Sequence, residues 1–233
     1  EPALAALATR VLAANGAALA PSTLSAACAR SSALRPGTPP LPRRADIVVA
    51  EVFGDDPLSE GAIRTLRHAA STLLADGGRM IPRALAVFAA LAAVPDEVIR
   101  RAALPAIVRA LEPGRVCADL RRAPLTWVTA TARLWGCSFD APASLPTHAT
   151  GEVEVEVTAS TPPNAIVVWW ELDVGGGATL SSGVDSATHW RQLIIPLEER
   201  WRRPLAPGSR ATLRWEVSAE EECVRVSAVS YFS

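Results

Sequence analysis

Leu4, Leu7, Val11 and Leu12 recur at helical spacing up to Asn15-Gly16, two residues that readily take the left-handed conformation ending a helix. One opening helix is expected. Residues 20–28 form a weak strand pattern, and the proline-rich run 35–42 can be neither regular helix nor central strand, so it predicts a surface connection. The short apolar run 45–50 is expected as a central strand of a parallel sheet, with Ser59 placed to cap a helix that reaches about Leu74. After Pro82 the period changes. Residues 84–93 predict an apolar strand, and 96 to about 111 a helix stopped by Pro113-Gly114. Strand-like patterning then covers 127–135, 152–158, 165–172, 189–195, 211–217 and 223–229. It is clearest in Glu152-Val153-Glu154-Val155-Glu156-Val157, the alternation of a strand with one wet face in a barrel or sandwich. No internal repeat is visible.

A chain of 233 residues with 49% hydrophobic and 20% charged positions can bury one large core or two modest ones. All 23 basic residues are arginine, which fits a high-GC coding bias and carries no functional inference. A formal net charge of −1 argues against a nucleic-acid partner, since phosphate-backbone binders carry a clustered basic excess. The local basic run Arg200-Trp201-Arg202-Arg203 reads as a solvated loop between strands. Cys28, Cys117, Cys137 and Cys223 lack C-x-x-C spacing, so neither a metal site nor a disulfide framework is expected, and a reducing compartment fits. No apolar run of about 18 residues and no signal peptide occurs, giving no membrane partner and a cytoplasmic or nuclear location as expectations. The chain opens at Glu1 and its only methionine is Met80, so a fragment of a longer protein is expected.

The stretch with most chemical content runs from Ala45 to Ala62, where an apolar strand leads into Glu51 and, nine positions on, Glu60. Two carboxylates across a turn can grip one guanidinium, a planar cation whose fixed donors suit pairs of parallel hydrogen bonds. The bland alternative makes Glu51 a turn residue and Glu60 a first-turn helix acid favoured by the macrodipole.

At these residues the chain resembles the protein arginine methyltransferases, whose double-glutamate hairpin has this spacing and whose barrel carries a Thr-His-Trp loop, here Thr188-His189-Trp190. The segment from Leu74 to Pro82 is similar to the L-x-P-G-G-x-x-x-P that closes the family's cofactor domain, and His189-Trp190-Arg191-Gln192 to its H-W-K-Q. Glu51-Val52-Phe53 and Glu60-Gly61-Ala62, with His68-Ala69 following, are more similar to the monomethylating (type III) branch than to the asymmetric dimethylators.

The resemblance implies an α/β plus β fold: the C-terminal half of a Rossmann-like class I methyltransferase domain followed by an antiparallel β-barrel. The expected division is 1–82 for the partial cofactor domain and 83–233 for the substrate-binding barrel, with a short helical dimerisation arm at about 94–122. Glu51, Glu60 and His189 are the implied catalytic residues. Phe53, Thr188 and Trp190 are the implied substrate-binding residues, and Phe53 with Ala62 is expected to influence how many methyl groups are added. S-adenosyl-L-methionine is the implied cofactor, with Glu1 as its ribose-binding acid. No G-x-G-x-G precedes the first helix, Cys28-Ala29-Arg30-Ser31 stands where an adenine-side acid is expected, and Val174-Gly175-Gly176-Gly177 reads as a hairpin turn. His68 and His148, on a helix face and in a loop, are expected bystanders. Trp169-Trp170 is expected as core on one side and an arm or interface contact on the other.

Two functions remain from this reading. One is a protein arginine methyltransferase acting on an arginine-containing protein, as a homodimer or a pseudo-dimer, with the N-terminal cofactor half missing from this chain. The other is a catalytically degenerate module serving as scaffold or dimer partner.

Overall fold

The computed structural model describes residues 2–15, 26–102, 115–141 and 145–232. Helix α1 (Pro2–Asn15) forms where the apolar spacing predicts it, but none of its side chains is buried, and Leu4, Leu7 and Val11 are exposed. The strand pattern at 20–28 lies mostly outside the described residues.

Strand β1 (Ala45–Val49) is followed by a loop, helix α2 (Ala62–His68), a π-turn (Ala69–Leu73) and strand β2 (Leu74–Ile81), which returns parallel to β1. The expected central strand is, among the described residues, a strand with one partner. Its Ile47 and Val49 side chains are 54% and 72% exposed, while Val48 packs on the core. Ser59 does not cap α2. Its hydroxyl donates to the Asp56 carbonyl, and Gly61, at φ 71°, makes the left-handed entry to the helix.

Strands β2 and β3 (Ala84–Ala93) flank the cis Ile81–Pro82 peptide and belong to different sheets. Strand β3 is the hub of an antiparallel sheet with β4 (Val116–Ala118), β5 (Thr126–Trp127), β6 (Ala132–Ser138), β8 (Ala165–Gly175), β9 (Ala178–Ser181) and β10 (Gln192–Pro196). A second antiparallel sheet contains β7 (His148–Glu156), β11 (Arg210–Ser218) and β12 (Cys223–Phe232), in the order β12-β11-β7. The bridge between Thr129 and Val157 ties the two sheets into a barrel-like body. The expected α/β unit followed by antiparallel barrel is the architecture observed.

Three boundaries depart from the pattern. The run 127–135 is broken between β5 and β6 because Thr129 accepts the Leu91 N–H through its hydroxyl (3.0 Å) as the chain crosses towards Val157. The run 189–195 becomes strand only at Gln192, because the preceding residues are turned towards the loop after β1. His148 opens β7, opposite Ser218, instead of lying in a loop. In the expected arm, helix α3 (Asp96–Ala102) is present, and 103–114 lie outside the described residues.

One continuous core joins the α/β unit to the barrel. Phe53, Leu58, Ile63, Leu66 and Met80 pack with Leu85, Phe139 and Trp170, all at most 1% exposed. Alternation along β8 turns Trp170 into this core and Trp169 to the outer face, where Val98 and Ile99 of α3 help to cover a second apolar cluster. The side-by-side tryptophans divide as the sequence implies. No described helix is long and apolar enough to cross a membrane.

Candidate functional site

The loop 50–61 is a closed turn fastened to the barrel. Its start is fixed by the Ala50 N–H, which donates to the Ile81 carbonyl at 2.9 Å, and its end by the Gly61 N–H, which donates to Leu58 at 3.1 Å. Between them Asp56 forms an Asx-type turn, its Oδ1 accepting the Leu58 N–H, while Ser59 returns both its N–H and its hydroxyl to the Asp56 carbonyl. Gly54 is required by the tightness of this turn: a Cβ there would collide with Ser59 Oγ and stand 3.7 Å from Glu60 Oε1. The Glu60 carboxylate therefore lies beside Gly54.

Two indoles of the barrel hold two successive carbonyls of this loop. Trp190 Nε1 donates to Phe53 O at 2.8 Å, and Trp170 Nε1 donates to Gly54 O at 3.1 Å. The rings of Trp170 and Trp190 meet edge to face with centroids 4.7 Å apart. Phe53, expected beside a substrate nitrogen, is 1% exposed, with its ring against Trp170 and Phe139. It is the floor on which the loop rests.

Four acids occupy this loop, and the structure divides them by role. Asp55 receives the Arg191 N–H (2.8 Å) and the Arg191 guanidinium (2.7 Å), which locks the loop to the residue following Trp190. Asp56 is buried and accepts from Leu58 N, Val224 N and Arg115 Nη1. Burial pushes its carboxyl above the usual range, while these donors pull the other way. Glu51 and Glu60 are both exposed and have no ion pair among the described residues. The middle pair is tied into the fold, and the outer pair faces solvent.

The Thr188-His189-Trp190 loop is built against this turn. Thr188 Oγ1 donates to the Ser181 carbonyl at 2.6 Å, Trp190 is buried, and His189 is exposed with its ring 4.3 Å from that of Trp190. The six residues predicted at 51, 53, 60 and 188–190 thus belong to two loops joined through Trp190 and Arg191. Glu1 lies outside the described residues. Asp55, Asp56 and Arg115 were given no role from the sequence, Trp170 was expected only as core, and Arg191 only as part of a motif. The only local signal for them was the Asp-Asp pair after Gly54 and an arginine directly after a tryptophan.

The resemblance to the methyltransferases implies a cradle for a nucleoside cofactor. Such a cradle needs backbone N–H groups at the start of a helix that follows a parallel strand. The loop that does so here carries Glu51, Asp55, Asp56 and Glu60. The glycine run 175–177 is the β8–β9 hairpin turn, its three residues at positive φ. Cys28 and Arg30 are exposed and outside any regular element.

No family model matches the chain. It is 27% identical over 194 residues to an arginine N(omega)-methyltransferase of Streptomyces achromogenes subsp. streptozoticus, covering 78% of this chain and 51% of that protein. A shorter stretch of 53 residues is 43% identical to protein arginine N-methyltransferase 7 of Aedes aegypti, covering 23% of this chain and 8% of the relative. The chain therefore spans about half of one curated relative and a small part of the other. Among solved structures it is similar to the Trypanosoma brucei PRMT1 enzyme-prozyme heterotetrameric complex with AdoHcy, with a TM-score of 0.72 and 18% identity over 98% of this chain and 76% of that one. That likeness is one of fold.

Proposed function

We propose that the chain is a member of the protein arginine methyltransferase family, as its two curated relatives suggest, and that it supplies the substrate-holding side of methyl transfer to an arginine guanidinium. The observation that carries this is the division of the loop acids: Asp55 and Asp56 are fastened to the barrel, whereas Glu51 and Glu60 stand free at the two ends of the same rigid turn. A guanidinium between them is held by paired hydrogen bonds and kept in one plane. Drawing its charge towards the two bound nitrogens leaves the third more nucleophilic and fixes its direction. His189, exposed beside the same loop, borders that nitrogen. The methyl donor in this reading is S-adenosyl-L-methionine, held by a cofactor half outside the described residues. The bare faces of β1 and α1 suit a sheet extended by such a half.

The substrate proposed is arginine within a protein, and the product monomethylarginine, a reading supported by the similarity of Glu51-Val52-Phe53 and Glu60-Gly61-Ala62 to the monomethylating branch. A dimer or a pseudo-dimer with a second module belongs to the same proposal. The second reading, a module without activity that serves as scaffold, rests on the acids carried by the described loop that leads from parallel strand β1 into helix α2.

The test is Glu51→Gln or Glu60→Gln in the whole protein, assayed with S-adenosyl-L-methionine on an arginine-glycine-rich peptide and on free arginine. Each change keeps shape and removes one partner of a desolvated ion pair, a loss of about 3–5 kcal/mol. That is about two to four orders of magnitude in rate. Thermal stability of the exposed positions is expected to change by no more than about 0.5 kcal/mol. Near-normal transfer by both variants removes the assignment.

A further inference from the structure

A cavity of about 470 Å³ opens on the outer side of the barrel, with Thr188 in its wall. The Thr188–Trp190 loop thus faces two ways: Trp190 is turned to the glutamate-bearing turn and Thr188 to this cavity. Trp127 and Trp169 form an aromatic corner, ring centroids 5.6 Å apart at 48°, and Phe88 stacks on Trp169 at 5.9 Å and holds its plane. Glu171, next but one to Trp169 on the outer face of β8, and Asp185 supply carboxylates to the same wall.

Neither acid is paired with an arginine among the described residues, although fourteen ion pairs engage acids and bases elsewhere on them. The hydroxyls of Ser186 and Thr188 are already committed, both donating to the Ser181 carbonyl at 2.6 Å. What remains to address a ligand is two indole surfaces, the Thr131 and Thr179 hydroxyls and two carboxylates, with no basic side chain among the described lining residues. An anionic ligand meets only like charge among the described lining residues, and a neutral one gains hydrogen bonds but no charge pairing. A planar cation finds both a stacking surface and acceptors, and guanidinium matches them better than ammonium because it is flat and weakly hydrated.

We propose that this cavity is a second guanidinium site, which takes a neighbouring arginine of the same polypeptide substrate while Glu51 and Glu60 hold the arginine to be methylated. The substrate role rests on the function proposed above. The cation site itself does not. Occupying it tethers an arginine-rich segment beside the Thr188–Trp190 loop and raises the local concentration of the target side chain.

The test has two arms. In the first, the indole N–H signals of Trp127 and Trp169 are followed by ¹⁵N–¹H correlation spectra during titration with N-acetylarginine amide, and with N-acetylcitrulline amide as the neutral isostere. Both signals are expected to shift saturably with arginine and not with citrulline. Glu171→Gln with Asp185→Asn should weaken the arginine effect at least about fivefold, as two partly exposed charge contacts warrant, and Glu51→Gln should leave it intact. In the second arm, the active protein is given peptides with one arginine or with several. Trp169→Leu should raise KM for the multi-arginine peptide to the single-arginine value and leave kcat unchanged. Indole signals that do not move, or that move equally with citrulline, overturn the site. If the signals move but Trp169→Leu leaves both KM values unchanged, the substrate role falls. If no arginine is methylated under any condition while the signals still move, the failure lies with the reading of Glu51 and Glu60.

Discussion

The Trp190 indole donates its N–H to the Phe53 carbonyl at 2.8 Å across 137 positions of sequence. One bond therefore joins the barrel loop to the glutamate-bearing turn. Trp170 repeats the arrangement on the next carbonyl, so the turn is held from the barrel side by two rigid rings as well as at the end of its own strand.

Replacing Trp190 by Phe keeps an aromatic ring, smaller than the buried indole, and removes the donor. The Phe53 carbonyl, buried with its residue, is then unsatisfied, and the expected loss is about 1–3 kcal/mol. For a chain of this length each kcal/mol lowers Tm by about 2–4 °C. Calorimetric melting measures that loss, and methyl transfer should fall further than stability alone explains, because the turn between Glu51 and Glu60 loses a fixed point. A melting temperature equal to that of the parent refutes the anchoring role.

Asp55 and Arg191 should be coupled. Arg191 is about half exposed, so its ion pair is screened, but Asp55 also accepts a backbone N–H. A double-mutant cycle with Asp55→Ala and Arg191→Ala is expected to give a coupling of about 0.5–1 kcal/mol in urea unfolding. A coupling of zero would mean that the contact contributes nothing to holding the loop.

Asp56→Ala should be the most damaging change in the turn. It leaves Leu58 N, Val224 N and Arg115 without their acceptor in a buried place, at a cost of about 3–5 kcal/mol. Asp56→Asn is expected to cost less, since it keeps one accepting oxygen and sheds the charge that burial opposes. Chemical denaturation of the two variants gives the order, and equal losses would contradict the hydrogen-bond account.

Two barrel thiols set an alkaline limit. Burial pushes Cys117 up to about 11 and Cys137 up to about 12 from the usual 9.0, and Asp55 adds to the rise at Cys117. Below about pH 8 both forms of the chain hold these protons, so stability is unaffected. Between pH 9 and 11–12 the unfolded chain ionises thiols that the folded chain keeps protonated, and stability falls. Melting temperatures measured from pH 8 to 11 should decline more steeply for the parent than for Cys117→Ala/Cys137→Ala. In the same native protein at pH 8, exposed Cys28 should react with iodoacetamide well before either of them.

Local patterning was enough for elements whose period reports directly on their environment. Strands β3, β8 and β11 and most of β7 lie where spacing predicts them, because a strand with one wet face or a run that is apolar throughout writes its burial into the sequence, whereas the spacing of α1 gave its helix but not its exposure. The nine-residue separation of Glu51 and Glu60, and the Thr188-His189-Trp190 triplet, were legible for the same reason: each is a local motif. Which of the four acids in the turn stay free was not legible. Asp55 and Asp56 look like solvent-facing turn residues until Arg191, Arg115 and Val224 arrive from 59 to 168 positions away to occupy them. The burial of Phe53, the breaks at 128–131 and before Gln192, and the aromatic-acid cavity beside Thr188 likewise depend on which strands become neighbours in the barrel. Sequence spacing fixes what a residue can offer, whereas long-range pairing decides which offers are already taken, and the groups left over define the site.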